Sequence, residues 1–272
     1  MKAYRWITTA VFALVLCGFL LFSWQEAKNR DDTYPQIKLD SEQMDVSVSV
    51  TEEELLEGVT ASDDRDGDLT DRVLVESVSP FIEPGVCKVT YAVSDSSSHV
   101  AKASRNIHYT DYTPPRFTLS GPMIVYEDEQ VNLRSLVGAR DCIDGNISDR
   151  IRVVEADSEE SLTGNKVFSV QVTNSRGDTA SLNIPVFMEE YGRRGPKITL
   201  KQALLYVKAG AHPNFQSFVE EVTEEEIPLA GYQVSVSTNF DSRTPGVYSV
   251  HYYVTGSDGI EGHTVLTVVV EE

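Results

Sequence analysis

The sequence reads as an all-β chain: three tandem two-sheet sandwich domains behind one N-terminal transmembrane helix. Two observations carry the β reading. A segment recurs at intervals of 80 and 81 residues, and late in each copy apolar and polar residues alternate strictly. A third observation, an uncharged apolar run of nineteen residues near the N-terminus, sets the helix apart.

That run, Trp6 to Trp24, follows Lys2 and Arg5. At about 1.5 Å per residue a helix of this length rises roughly 28 Å, close to the hydrocarbon thickness of a bilayer. Tryptophans at both ends suit the membrane interface. The exit, SWQEAKNRDD, lacks the paired small residues of a signal-peptidase site, and Leu16 stands where a lipobox before Cys17 needs a small residue. The expectation is an uncleaved anchor, residues 1–30. It makes the chain a single-pass plasma-membrane protein with its C-terminal domains outside the cytoplasm.

Beyond the anchor, PQIKL at Pro35, PRFTL at Pro115 and PKITL at Pro196 open three copies. DGDLTDRV at Asp66 pairs with DGNISDRI at Asp144 in the first two. Glycines 85, 164 and 246 precede the alternating strands. Counted from them, the same columns are apolar in all copies: Val89, Phe168 and Val250; Tyr91, Val170 and Tyr252; Val93, Val172 and Val254. A period of two places one face in a core and the other toward water, which helical packing does not produce. The predicted domains are 31–112, 113–191 and 192–272, the last divergent. Glu52 to Gly58 and Glu127 to Val137 have room for a helical turn each and read as irregular crossings within a β domain. Tyr112 to Pro115 and Tyr191 to Pro196 form the linkers, and consecutive prolines stiffen the first. The expected outcome is an elongated rod.

Composition narrows the partners. Of 272 residues, 23 are Lys or Arg and 42 are Asp or Glu, a formal charge of -19 and a pI near 4.6. So acidic a surface repels phosphate backbones, which excludes nucleic acid as a partner. Three widely separated cysteines give no disulfide framework, and Cys87 falls on an inward column as a small buried thiol.

The most tempting chemistry is DDRDGDLTD, where Asp64, Asp66 and Asp68 alternate as calcium ligands do. Its glycine is misplaced for an EF-hand, and Asp-Gly is a good turn former, so the turn is the default and no metal ligand is assigned. The five histidines show no metal-binding spacing, and His251 sits on an outward face. No catalytic residue and no cofactor site is read. Tyr232, Tyr248 and Tyr253 in the third copy are candidates for a glycan-binding platform.

GVTASDDRDGDLTDRV followed by EPGVCKVTYAVSDSSSHVAKASRNIHY resembles a family of immunoglobulin-like domains of bacterial surface proteins, first associated with a pesticidal crystal protein. The match rests on Val59, Ala61, Asp63, Asp66, Gly67, Asp68 and Val73, then Pro84, Gly85, Tyr91, Val93 and Asp95. In the second copy it rests on Val137, Ala139, Asp141, Asp144, Gly145, Gly164 and Val172, with Thr163 and Asn174 departing from the pattern. The third keeps Pro245, Gly246, Tyr252 and Val254 but has VTEEEIPLAG in place of the Asp-Gly turn. The resemblance implies an immunoglobulin-like sandwich at a cell surface and transfers no catalytic residue. Together these readings point to a noncatalytic, membrane-anchored surface protein, a rod-like spacer or adhesion module with a protein or glycan partner. The alternative is an accessory glycan-binding or membrane-complex subunit with its specificity in loops of the third domain.

Overall fold

A computed structural model of the protein describes residues 2–29, 31–126, 132–154, 166–189 and 195–272. Helix α1 spans Lys2–Asn29. Among the described residues, no helix is long and apolar enough to cross a membrane. The expected single-pass plasma-membrane location, and the membrane as a partner through this helix, are corrected on that finding.

The rest of the chain is built of strands. The first copy contributes β1 (Gln36–Leu39), β2 (Gln43–Val46), β3 (Val59–Asp63), β4 (Gly67–Asp68), β5 (Leu74–Val78), β6 (Val86–Ser94) and β7 (Val100–Tyr109). The second contributes β8 (Arg116–Leu119), β9 (Ile124–Tyr126), β10 (Val137–Asp141), β11 (Gly145–Asn146), β12 (Arg152–Val154), β13 (Lys166–Thr173) and β14 (Thr179–Glu189). The third contributes β15 (Lys197–Leu200), β16 (Leu204–Lys208), β17 (Val219–Glu224), β18 (Ile227–Pro228), β19 (Ser235–Thr238), β20 (Gly246–Thr255) and β21 (Glu261–Glu271).

Each set of seven makes the same two sheets. The three-stranded sheets run β1-β3-β4, β8-β10-β11 and β15-β17-β18; the four-stranded sheets run β2-β7-β6-β5, β9-β14-β13-β12 and β16-β21-β20-β19. Opposed sheets bury alternate residues between them, as a sandwich requires. In the second copy Phe117, Val137, Ala139 and Ile147 of one sheet and its loops meet Val170, Val172, Leu182 and Ile184 of the other. In the third, Ile198 and Val222 meet Val250, Tyr252, Val254, Leu266 and Val268. The alternating columns are therefore the core: Val89, Tyr91 and Val93 are buried in the first copy and Val170 and Val172 in the second, while Phe168 is partly buried against its cluster. Gly164 lies outside the described residues.

Each of the two segments read as irregular crossings contains one short helix. α2 (Glu52–Leu55) is closed by a capping box from Thr51, and α3 (Leu133–Leu136) leads directly into β10. Residues 127–131 of that second segment lie outside the description, as do 191–194 of the second linker. None of the three cysteines is in a disulfide, and Cys87 is fully buried.

Within the first sandwich the buried guanidinium of Arg105 ties the helical turn to the sheet. Its Nε donates to Tyr91 Oη at 2.8 Å, and its Nη2 donates to the carbonyls of Leu55 and Glu57 at 2.8 and 2.6 Å. Tyr91 in turn donates to the Leu55 carbonyl at 2.7 Å.

Chain contacts group into two compact units. One holds Met1–Val46, Val50–Ile82 and Val86–His108; the other holds Ser47–Ser49, Glu83–Gly85 and Tyr109–Glu272, so the second and third sandwiches belong to one unit.

Candidate functional site: the acidic tip and the third-sandwich groove

The acidic turn folds as a β-hairpin. Asp63 pairs with Gly67 across β3 and β4, and Gly67 adopts φ +75°, a left-handed conformation that glycine takes without a Cβ penalty. Asp63 Oδ1 accepts the backbone N–H groups of Arg65 and Asp66 at 2.8 and 3.0 Å. Asp66 accepts the N–H and the hydroxyl of Ser96 at 2.6 and 2.8 Å, which hold its carboxyl below the usual carboxylate range. Asp68 Oδ1 accepts Thr70 N–H at 2.9 Å. Asp64, Asp66 and Asp68 do not converge: Asp64 is exposed, and the other two serve different loops.

Carboxylates gather one step deeper, where sequence spacing gave no signal. Asp31, Asp95 and His99 each place a ligand atom within 4.8 Å of the others. Asp95 is buried; its Oδ1 accepts N–H from Ser97 and His99, and its Oδ2 lies 2.7 Å from His99 Nδ1. The Thr33 hydroxyl, 2.6 Å from Asp31 Oδ1, also reaches Asp63 Oδ1 at 3.4 Å, so the Asp31 and Asp63 carboxylates are neighbours. Hydrogen bonds from Thr33, first its hydroxyl and then its N–H, lower the Asp31 pKa against a small opposing effect of burial.

The second sandwich repeats this frame with different chemistry. Asp141 Oδ1 accepts from Ile143 and Asp144, and Asp144 accepts the N–H and hydroxyl of Ser175, both at 2.6 Å. Asn174 stands where the first copy has Asp95. Its Oδ1 accepts Arg176 and Asp178 N–H, while its Nδ2 donates to Asp141 Oδ2 and to Tyr112 Oη, both at 3.1 Å. Tyr112 donates onward to Asp178, and burial followed by that bond pushes its phenol far up.

In the third sandwich two of the three tyrosines come together. Tyr232 and Tyr253 line an open groove of about 570 Å³ with Gln233, Ser235, Ser257 and Glu261. Tyr248 instead turns its ring edge toward Phe240 and donates to the Thr244 carbonyl. Tyr253 stacks on His263 with ring centres 4.6 Å apart and 12° between planes. His263 Nδ1 lies 2.6 Å from Glu189 Oε1, and its Nε2 lies 2.9 Å from His251 Nδ1. His251 is thus not the solvated residue its outward register suggests. Its ring meets the edge of Phe187 at 4.6 Å, and burial, then the neighbouring His263, lowers its pKa.

No family model matches the chain, and no curated protein matches it. Among solved structures the chain is similar to a Clostridium perfringens ZmpB fragment containing an M60 catalytic domain and two CBM51 domains. The two are 13% identical over 89% of this chain and 31% of that one, with a TM-score of 0.23. It is also similar to the protocadherin GammaB4 extracellular domain, 12% identical over 88% of this chain and 49% of that one at 0.21. A lipoprotein of Bacteroides thetaiotaomicron is 10% identical over 86% and 99% of the two chains, again at 0.21. The chain spans about a third to a half of the first two. At such TM-scores these likenesses carry no argument about function.

Proposed function

We propose that the chain is a noncatalytic interaction module in which tandem sandwiches serve as spacers and the third presents the binding surface. The observation that carries this reading is the groove of Tyr232 and Tyr253. The Tyr253 ring is fixed by its stack on His263, and Gln233, Ser235 and Ser257 supply donors and acceptors beside it. A rigid aromatic flanked by amide and hydroxyl groups matches the apolar face and polar rim of a sugar, so a glycan is the favoured ligand and a protein loop the second reading. The resemblance of the repeats to surface-protein immunoglobulin-like domains supports the same role. The full chain is expected to bind members of a bacterial-glycan panel, and Tyr232→Ala to weaken that binding about tenfold, or roughly 1.4 kcal/mol, with the fold unchanged by circular dichroism. Binding unaffected by Tyr232→Ala places recognition elsewhere.

A further inference from the structure

Asp63 and Asp95 of the first sandwich correspond to Asp141 and Asn174 of the second, 78 and 79 residues later. The backbone caps of the two frames correspond. Asp63 Oδ1 and Asp141 Oδ1 each cap the next turn, and Asp95 Oδ1 and Asn174 Oδ1 each accept the N–H groups two and four residues on. With one atom of each pair fixed, Asp63 Oδ2 matches Asp141 Oδ2, and Asp95 Oδ2 matches Asn174 Nδ2. In the second sandwich those atoms form a hydrogen bond of 3.1 Å. In the first they are two carboxylate oxygens, and neither carries a proton to donate when ionised.

The consequence is visible at Asp63. The residue is 6% exposed, and its Oδ2 is buried without a hydrogen-bond partner. A buried, unpartnered carboxylate oxygen is strongly disfavoured unless a positive charge meets it. Asp95, whose side chain is fully buried, clusters with Asp31, and Asp31 is joined to Asp63 through the Thr33 hydroxyl. Of the neighbouring basic groups, Arg65 attracts Asp31 and Arg72 attracts Asp66. His99 is committed to Asp95, and Tyr34 stacks on it at 4.5 Å.

We propose that the first sandwich binds one hard divalent cation, of the calcium class, through the carboxylates of Asp31, Asp63 and Asp95. The cation takes the place that the Asn174 amide fills in the second sandwich. Three carboxylates, from the end of β3 at Asp63, the turn after β6 at Asp95 and the segment before β1 at Asp31, are the oxygen-rich donor set calcium prefers. The His99 imidazole orients Asp95, as a supporting partner does for a ligating carboxylate. The second sandwich, closed by its own amide, binds none.

Calcium titrated into the full chain tests this by isothermal titration calorimetry. Pulsed thiol labelling of buried Cys87 in urea gives a second readout, resolved by peptide mass spectrometry. One site is expected. At a calcium concentration about a hundredfold above Kd, the unfolding equilibrium read at Cys87 is expected to fall about a hundredfold. Asp95→Asn, which copies the second sandwich and keeps both backbone caps, should abolish the calcium heat. It should also make the calcium-free chain harder to unfold, because the amide then donates to Asp63 Oδ2. If Asp95→Asn fails to fold by circular dichroism, Asp31→Asn decides by the same loss of heat. No calcium heat in the parent chain would overturn the site, as would full binding in a folded Asp95→Asn. Binding of zinc alone, removed by His99→Gln, would overturn it too, by assigning the cluster to an imidazole-centred metal.

Discussion

His251 carries its conformation as an energy term that acid can remove. Its imidazole is wedged between the Phe187 edge and the stacked His263 ring, while Glu189 holds the far nitrogen of His263. Burial disfavours the imidazolium, so the folded pKa lies below the unfolded value of about 6.5. Between those two values the unfolded chain binds the extra proton. The stabilisation is therefore complete above about pH 6.5 and is lost as pH falls below it. The urea midpoint of β13, β14, β20 and β21, followed by hydrogen exchange, is expected to drop between about pH 7.5 and about pH 5.5. His251→Gln should flatten that slope. A slope unchanged in the variant would assign the acid sensitivity to another group. Asp144 acts in a lower window. Burial pushes its pKa up, but hydrogen bonds from Ser175 and the Arg150 guanidinium outweigh burial and hold it below the usual carboxylate range, so its contribution fades only in acid.

Individual strands were the most legible elements, because alternation over eight to eleven residues specifies a half-buried strand without reference to the rest of the chain. Cys87 and the columns at Val89, Tyr91 and Val93 follow from that alternation. Alternation does not tell whether an outward face meets water or another sheet, so His251 reads as solvated from its register and is packed against Phe187 in the structure. Nor could spacing find Asp31, which lies 32 residues before Asp63 in no motif. The third copy's hairpin was hidden for a different reason. Strands β17 and β18 are joined by Glu225 and Glu226 at φ +50° and +66°, a two-residue turn that ordinarily calls for Asn-Gly. Side chains with a Cβ are strained there by about 1 kcal/mol per residue. Replacing the pair by Asn-Gly is expected to stabilise the third sandwich by about 1 to 2 kcal/mol, read as a raised urea midpoint at constant m-value. A lowered midpoint would mean that the glutamates make compensating interactions.

At the scale of the molecule, the second and third sandwiches share one compact unit, and the chemistry of their junction says which contacts matter. Leu204 of β16 is buried in the core cluster of the second sandwich, with Tyr206, Val247 and Val269 packed against it. Tyr206 Oη accepts the Phe117 N–H at 3.0 Å, and the Arg116 guanidinium lies over its ring at 5.2 Å. Burial raises the Tyr206 pKa, as expected for a phenol whose ring is largely removed from water. Arg116 also pairs with Glu271 at 2.6 Å, but the arginine side chain is 50% exposed, and surface pairs of this kind contribute little. The apolar and aromatic contacts therefore decide the coupling. Tyr206→Ala is expected to cost about 2 kcal/mol and to lower together the midpoints of β13–β14 and β20–β21 in hydrogen exchange. The same variant should leave 86–108, in the other unit, at its original midpoint. Glu271→Gln, which removes only the ion pair, should change either midpoint by less than about 0.5 kcal/mol. If Tyr206→Ala lowered the third sandwich alone, the two would be separate cooperative units that merely touch, because a shared unit must lose stability throughout when its common contact is removed.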